Sequence, residues 1–247
     1  NLSGTEAVVL DEAHTVESVA GSHLGMHITS GQVEYILNKL YNDRTNKGLL
    51  AFGKPANTEA QREVLHCRHE ADVLFEQIYA WRMDQGSDNG RVMVPEIVPN
   101  TLSPSLSRLA RMVTDGAKHL DDDSQRQDFS AAGDRLVALA GQIEQWRTQA
   151  VADSVYWVET GWSRRGRLRI TLAASPIDVG PVLREQLYDK VPCVIMTSAT
   201  LAMGREGNFD FFKSRIGLTQ ATTLAVGSPF DYRRQAQLVL PRGMPDP

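Results

Sequence analysis

Val8-Val9-Leu10-Asp11-Glu12-Ala13-His14 is the stretch from which the rest of the chain is read. A short apolar run ends in two adjacent carboxylates, and a histidine follows two residues after the second. The run Ala7 to Leu10, flanked by Gly4 and the acidic pair, has the pattern of a strand buried on both faces of a parallel sheet. In open α/β sheets ligands bind beyond the carboxyl ends of the strands, so this strand delivers Asp11 and Glu12 to a binding edge. Nucleotide hydrolysis needs an acid at such an edge to hold Mg2+ through water, and a group that orients or deprotonates the attacking water. Asp11 suits the first task and Glu12 the second. The plainer alternative is a strand running into a solvated acidic turn.

Far downstream, Val194-Ile195-Met196-Thr197-Ser198-Ala199-Thr200-Leu201 repeats the buried-strand pattern and ends in hydroxyls beside small residues. D-E-A-H followed by S-A-T is the motif II and motif III pair of superfamily 2 helicases. The surroundings narrow this further. VVLDEAHTVESVA from Val8 to Ala20, ASPIDVGPVLREQLY from Ala174 to Tyr188, TSATL, and Ser228-Pro229-Phe230 together resemble the DinG branch of the XPD-like DNA helicases. The resemblance is dense toward both ends of the chain and weak through the middle.

That resemblance implies an α/β fold, part of a RecA-like P-loop NTPase motor domain with a mainly α-helical, arch-like insertion. It divides the chain into motor domain 1 over 1–28, the insertion over 29–152, the return of motor domain 1 over 153–204, and the start of a second motor domain over 205–247. It implies ATP and Mg2+ as cofactors, with Asp11 holding the metal and Glu12 acting on the hydrolytic water. His14, Ser198 and Thr200 would link nucleotide state to movement of the motor. The implied partner is single-stranded DNA, travelled 5′ to 3′ beneath the arch. Many relatives also hold an iron–sulfur cluster on four cysteines upstream of the acidic motif; Cys67 and Cys193 cannot hold one here.

Composition sets wider bounds. The 247 residues are 42% hydrophobic and 23% charged, enough for a sizeable core. A net charge of −4 does not advertise a nucleic-acid binder, although helicases engage DNA through local grooves. Two cysteines exclude a disulfide framework and fit a reducing, cytoplasmic setting. No stretch has the apolar length of a membrane span, and no signal peptide is visible. No G-x-x-x-x-G-K-[ST] phosphate loop occurs. Together with Asn1 at the start and an uncapped tail from Pro241 to Pro247, this leads us to expect an internal piece of a helicase, inactive alone.

Between the motifs the periodicity turns helical. Thr15 to Gly25 reads as a short helix or turn, and Val33, Ile36, Leu37 and Leu40 share one helical face. Thr58 with Gln61 suggests a capping box that opens a helix striped by Val64, Cys67, Ala71, Leu74, Ile78 and Trp81. Further stripes run from Leu102 to Leu120 and from Phe129 to Ala150, with Asp121-Asp122-Asp123 as a solvated turn between them. Such helices bury their stripes against one another in an antiparallel bundle. His66, Cys67 and His69 lack metal-site geometry, because 67 falls in the stripe while 66 and 69 lie off it.

Val155 to Thr160 and Arg167 to Leu172 then read as a β-hairpin. Its connection and second strand bear Trp162, Arg164, Arg165, Arg167 and Arg169, and alternation puts Arg167 and Arg169 on one face. Arginines neutralise phosphates and an aromatic ring offers a base a stacking surface, so a nucleic-acid contact is one reading. Solvated arginines on a hairpin tip are the other. A helix from Pro181 to Tyr188, a strand from Cys193 to Thr197 and a short helix from Phe209 to Ile216 follow. Leu224 to Val226 and Gln237 to Leu240 read as strands of the second motor domain.

Three functions compete. The first is an ATP-driven DNA helicase. The second is a non-enzymatic DNA- or protein-binding module whose working part is the helical bundle. The third is a superfamily 2 motor acting on RNA, because D-E-A-H alone does not separate the two nucleic acids.

Overall fold

The computed structural model describes residues 4–51, 55–84, 89–162, 166–204 and 207–239. In chain order the strands are β1 (Ala7–Leu10), β2 (Met26–Thr29), β3 (Ser154–Trp162), β4 (Leu168–Pro176) and β5 (Cys193–Met196). The helices are α1 (Val16–Leu24), α2 (Ser30–Leu40), α3 (Pro55–Asp84), α4 (Leu102–Ala117), α5 (Asp123–Thr148), α6 (Gly180–Leu183), α7 (Asp210–Arg215) and α8 (Tyr232–Gln235). The expected α/β class is borne out. The chain forms two compact units, Asn1–Thr15 with Gly180–Pro247, and Val16–Val179. The second unit therefore groups the hairpin β3–β4 and the strand β2 with the helices.

In the first unit β1 pairs in parallel with β5, Ala7 opposite Cys193 and Leu10 opposite Met196. The expectation that β1 is buried on both faces is corrected: Val9 is 63% and its neighbour Ile195 47% exposed. Parallel strands are hidden on both sides only where a layer covers each face, and among the described residues none covers this one. Before β5, the helix read from Pro181 to Tyr188 appears as α6 continued by a wider π turn, Arg184–Tyr188. The Tyr188 hydroxyl donates to the carbonyl of Ile216 at 3.2 Å, and Arg184 donates to that of Gly217 at 2.8 Å, which ties α6 to the end of α7. Gly217 has φ +72°, and a Cβ there would meet the Gly180 backbone. The strands expected at Leu224 to Val226 and Gln237 to Leu240 are absent: 224–226 and 237–239 hold no regular structure, and Leu240 lies outside the described residues. β-propensity there finds no neighbouring strand to supply ladder bonds.

In the second unit, β2 and β3 flank β4 in an antiparallel sheet, Ile28 and Val158 both opposite Leu172. One sheet face carries Ile28, Tyr156, Val158, Ile170 and Leu172 into a core built with the stripes of α2 to α5. The α2 stripe is as read, with Val33, Ile36, Leu37 and Leu40 all buried. A strand at Met26–Thr29 was not expected. Thr29 ends it and opens α2 with a full capping box: its hydroxyl accepts the Gln32 N–H at 3.1 Å, while the Thr29 N–H donates to the Gln32 side chain at 2.8 Å.

The capping box expected at Thr58 is displaced. α3 already begins at Pro55, a favoured first helical residue, and Gln61 instead donates to the Leu50 carbonyl at 2.6 Å. Asp122, in the acidic turn, caps α5 by accepting the Ser124 N–H. The Trp146 indole donates to the Ala173 carbonyl at 2.9 Å, fixing α5 on the sheet. The segment at Gly90 to Val92 adds to the edge of β3 through Val158 N–H to Gly90 and Val92 N–H to Tyr156. Cys67 is buried, and burial first of all pushes its thiol up to about 12.

Candidate active site

The parallel register that aligns Leu10 with Met196 brings the residues just beyond them face to face. Thr197 donates its N–H to the Leu10 carbonyl at 2.9 Å, and its own carbonyl accepts the Ala13 N–H at 2.9 Å. The ladder thus continues past both strand ends, and the acidic motif is clamped to the hydroxyl motif by backbone alone.

Side chains complete the clamp. The Thr197 hydroxyl donates to Asp11 Oδ1 at 2.6 Å. This bond, followed by the Glu12 N–H, holds the Asp11 carboxyl below its ordinary value of 3.8. Asp11 is therefore ionised at neutral pH while open to solvent. Glu12 sits at φ +49°, in the left-handed region that a residue bearing a Cβ enters at a cost of about 1–2 kcal/mol. Its carbonyl accepts both the N–H and the hydroxyl of Thr15, closing one tight turn over Ala13–Thr15. Ala13 is fully buried beneath it. Strain of this kind persists where surrounding bonds over-determine it.

His14 Nδ1 lies 2.9 Å from Ser198 Oγ and 3.2 Å from Glu12 Oε2, and the Ser198 hydroxyl donates to Glu12 Oε2 at 3.4 Å. Glu12, His14 and Ser198 thus form a closed triangle beside the Asp11–Thr197 bond. Thr200 joins only through its N–H, which donates to Ser198 Oγ at 3.4 Å. Thr197 is the residue that sequence reading missed. Its signal was positional: if Leu10 and Met196 end neighbouring parallel strands, positions 11 and 197 follow them side by side.

Among the described residues no three His, Cys, Asp or Glu side chains gather to hold a metal ion. Mg2+ at nucleotide sites needs no such cage, because one or two carboxylates, waters and the substrate phosphates supply its oxygens. A single ionised, accessible Asp11 fits that requirement.

The hairpin candidates fall differently. Arg164 and Arg165 lie outside the described residues. Trp162 ends β3 with its side chain 72% exposed. Arg167 lies just before β4, which begins at Leu168, and its guanidinium pairs with Glu34 of α2 at 2.9 Å. Arg169 lies on the sheet face turned away from the helical core.

Two adjacent parallel strands thus end in an acid pair and a hydroxyl cluster within an α/β protein. Comparison with known proteins narrows the class. No family model matches the chain. It is 28% identical over 246 residues to the ATP-dependent DNA helicase YoaA of Escherichia coli, across 97% of this chain and 35% of that protein. It is 24% identical over 278 residues to the 3′-5′ exonuclease DinG of Bacillus subtilis, across 98% of this chain and 29% of that protein. Over 150 residues it is 33% identical to the ATP-dependent DNA helicase DinG of Photobacterium profundum, 56% of this chain and 21% of that one. The chain spans about a third of the length of the first curated relatives it matches. These likenesses bear out the resemblance to the DinG branch of helicases, and extend it through the helical middle where motifs were silent.

Proposed function

We propose that the chain is the acid-bearing part of an ATP-driven DNA helicase of the DinG type, acting on single-stranded DNA in the 5′ to 3′ direction. The observation that carries this reading is the joining of Asp11, Glu12 and His14 to Thr197 and Ser198 across β1 and β5. Asp11, kept ionised by Thr197, would hold Mg2+ through water, and the ion would neutralise charge on the nucleotide phosphates. Glu12 accepts a proton from, or orients, the attacking water. Its carboxylate is already within reach of two donors, His14 and Ser198, so its orientation depends on both motifs at once.

The same geometry supports a coupling role for His14 and Ser198. A shift of β5 relative to β1 would break the His14–Ser198 contact and change what Glu12 faces. The helical residues 29–152 would serve as the arch-like insertion, and 205–247 as the start of a second motor domain. The names of the relatives support ATP and DNA as the substrates.

The test is ATP hydrolysis by the full-length protein with and without single-stranded DNA, beside its Glu12→Gln variant. We expect DNA-stimulated turnover that the variant loses by about a hundredfold or more, the scale of removing a positioned acid–base group. Turnover that survives Glu12→Gln unchanged would overturn the assignment of the acid. DNA binding with no turnover in the wild-type protein would favour the non-enzymatic binding module instead.

A further inference from the structure

A chain that stayed extended past β1 would carry Glu12 onward beyond the sheet edge; this one folds back at once. The turn is made at Glu12 itself, whose φ of +49° lies in the left-handed region. Glycine enters that region freely, and asparagine or aspartate does so with a local hydrogen bond from its short side chain. Glutamate has neither advantage, so its conformation depends on the bonds around it. Its N–H donates to the Asp11 carboxylate. The next N–H, that of Ala13, donates to the Thr197 carbonyl at 2.9 Å. The Glu12 carbonyl accepts the Thr15 N–H at 3.0 Å and the Thr15 hydroxyl at 2.9 Å.

Asp11 and Thr197 already belong to the site, whereas Thr15 closes the turn from its other end and is exposed. Threonine hydroxyls bond the carbonyl one turn back in many helices, with a small and slightly unfavourable effect on stability. Here the accepting carbonyl belongs to the strained residue, which is also the one that carries the acid. Moving Glu12 from +49° into the right-handed helical region turns φ by roughly 110°. That re-aims the Cα–Cβ bond, which now sets Glu12 Oε2 3.4 Å from Ser198 Oγ and 3.2 Å from His14 Nδ1.

We infer that Thr15 is a positioning residue for Glu12: its hydroxyl holds the left-handed turn and so keeps the carboxylate beside His14 and Ser198. The inference rests on the assignment of Glu12 to the attacking water. Thr15 acts through Glu12, so its loss slows the hydrolytic step and leaves nucleotide binding as it is.

The experiment is ATP hydrolysis by the full-length protein with single-stranded DNA. It compares wild type with Thr15→Val, Thr15→Ser, Glu12→Gln and the double variant Glu12→Gln/Thr15→Val. Valine keeps the branched shape and the backbone N–H and removes the hydroxyl. Thr15→Val is expected to lower kcat about 2- to 13-fold, the net worth of one hydrogen bond, with KM for ATP unchanged. Thr15→Ser, which retains the hydroxyl, should restore kcat. In the Glu12→Gln background the same valine should change turnover by less than about twofold, because no carboxylate remains to be aimed. A raised KM with wild-type kcat, no rescue by serine, or an equal valine loss in both backgrounds would each overturn the inference. If Thr15→Val melts early, Thr15→Ala against Thr15→Ser isolates the same hydroxyl, and equal kcat in those two overturns it. Failure of the underlying assignment looks different. Turnover that survives Glu12→Gln unchanged removes the role of the acid. Turnover lost in Glu12→Gln, with wild-type kcat in Thr15→Val, overturns the role of Thr15 alone.

Discussion

Asp11 and Thr197 show how one hydroxyl sets the state of an acid. The carboxyl is open to solvent; the Thr197 hydrogen bond is the largest cause of the lowering, the Glu12 N–H the next, and desolvation opposes them only as the smallest. A carboxyl with a folded-state value below its unfolded one stabilises the fold above the unfolded value. That contribution disappears as pH falls through the folded one. For Asp11 the window therefore lies below about 3.8, where the site loses its charge. Thr197→Val keeps the shape and removes the donor. We expect the Asp11 carboxyl to titrate at higher pH in that variant, read from its side-chain carbon shift by NMR, with Mg2+-dependent turnover reduced. An unchanged titration would assign the lowering to the backbone N–H alone.

At the scale of elements, Gly90 governs how the chain after α3 joins the sheet. Its φ is +74°, and an added Cβ would lie 2.1 Å from the Val158 carbonyl oxygen, a backbone atom that cannot step aside. Gly90→Ala should therefore detach the Gly90–Val92 segment from β3 and cost about 1–3 kcal/mol, measured by denaturant unfolding. This contact was hard to foresee, because a loop rich in Gly, Asp and Asn announces a turn but not its partner strand. The helices were legible for the opposite reason. Their stripes, such as Val33, Ile36, Leu37 and Leu40, repeat a period that only a buried helix face explains. β2 escaped notice because Met26-His27-Ile28-Thr29 is too short for alternation to register. The strands expected at 224–226 and 237–239 failed because propensity without a neighbour does not make a sheet. Asp11, Glu12, His14 and Ser198 could be found from the motifs, but Thr197 needed the register.

For the whole molecule, the decisive fact is that the buried apolar cluster from Ile28 to Ala174 belongs entirely to the second unit. Residues 16–179 expressed alone should therefore unfold as one cooperative transition, with the same midpoint by circular dichroism and tryptophan fluorescence. Separate transitions would mean that its core depends on the first unit. The first unit has no such independence, because β1 and β5 lie at opposite ends of the insertion. Asp11 and Thr197 are 186 residues apart in the chain. On a ribosome adding about 5–20 residues per second, β1 emerges roughly 10–40 s before the strand it must pair with. For that interval the acid motif of a newborn chain waits without β5, the strand that pairs with β1 among the described residues. The clamp between the acidic and hydroxyl motifs is thus among the last parts to close, and a chain whose synthesis stops within the helices never acquires it.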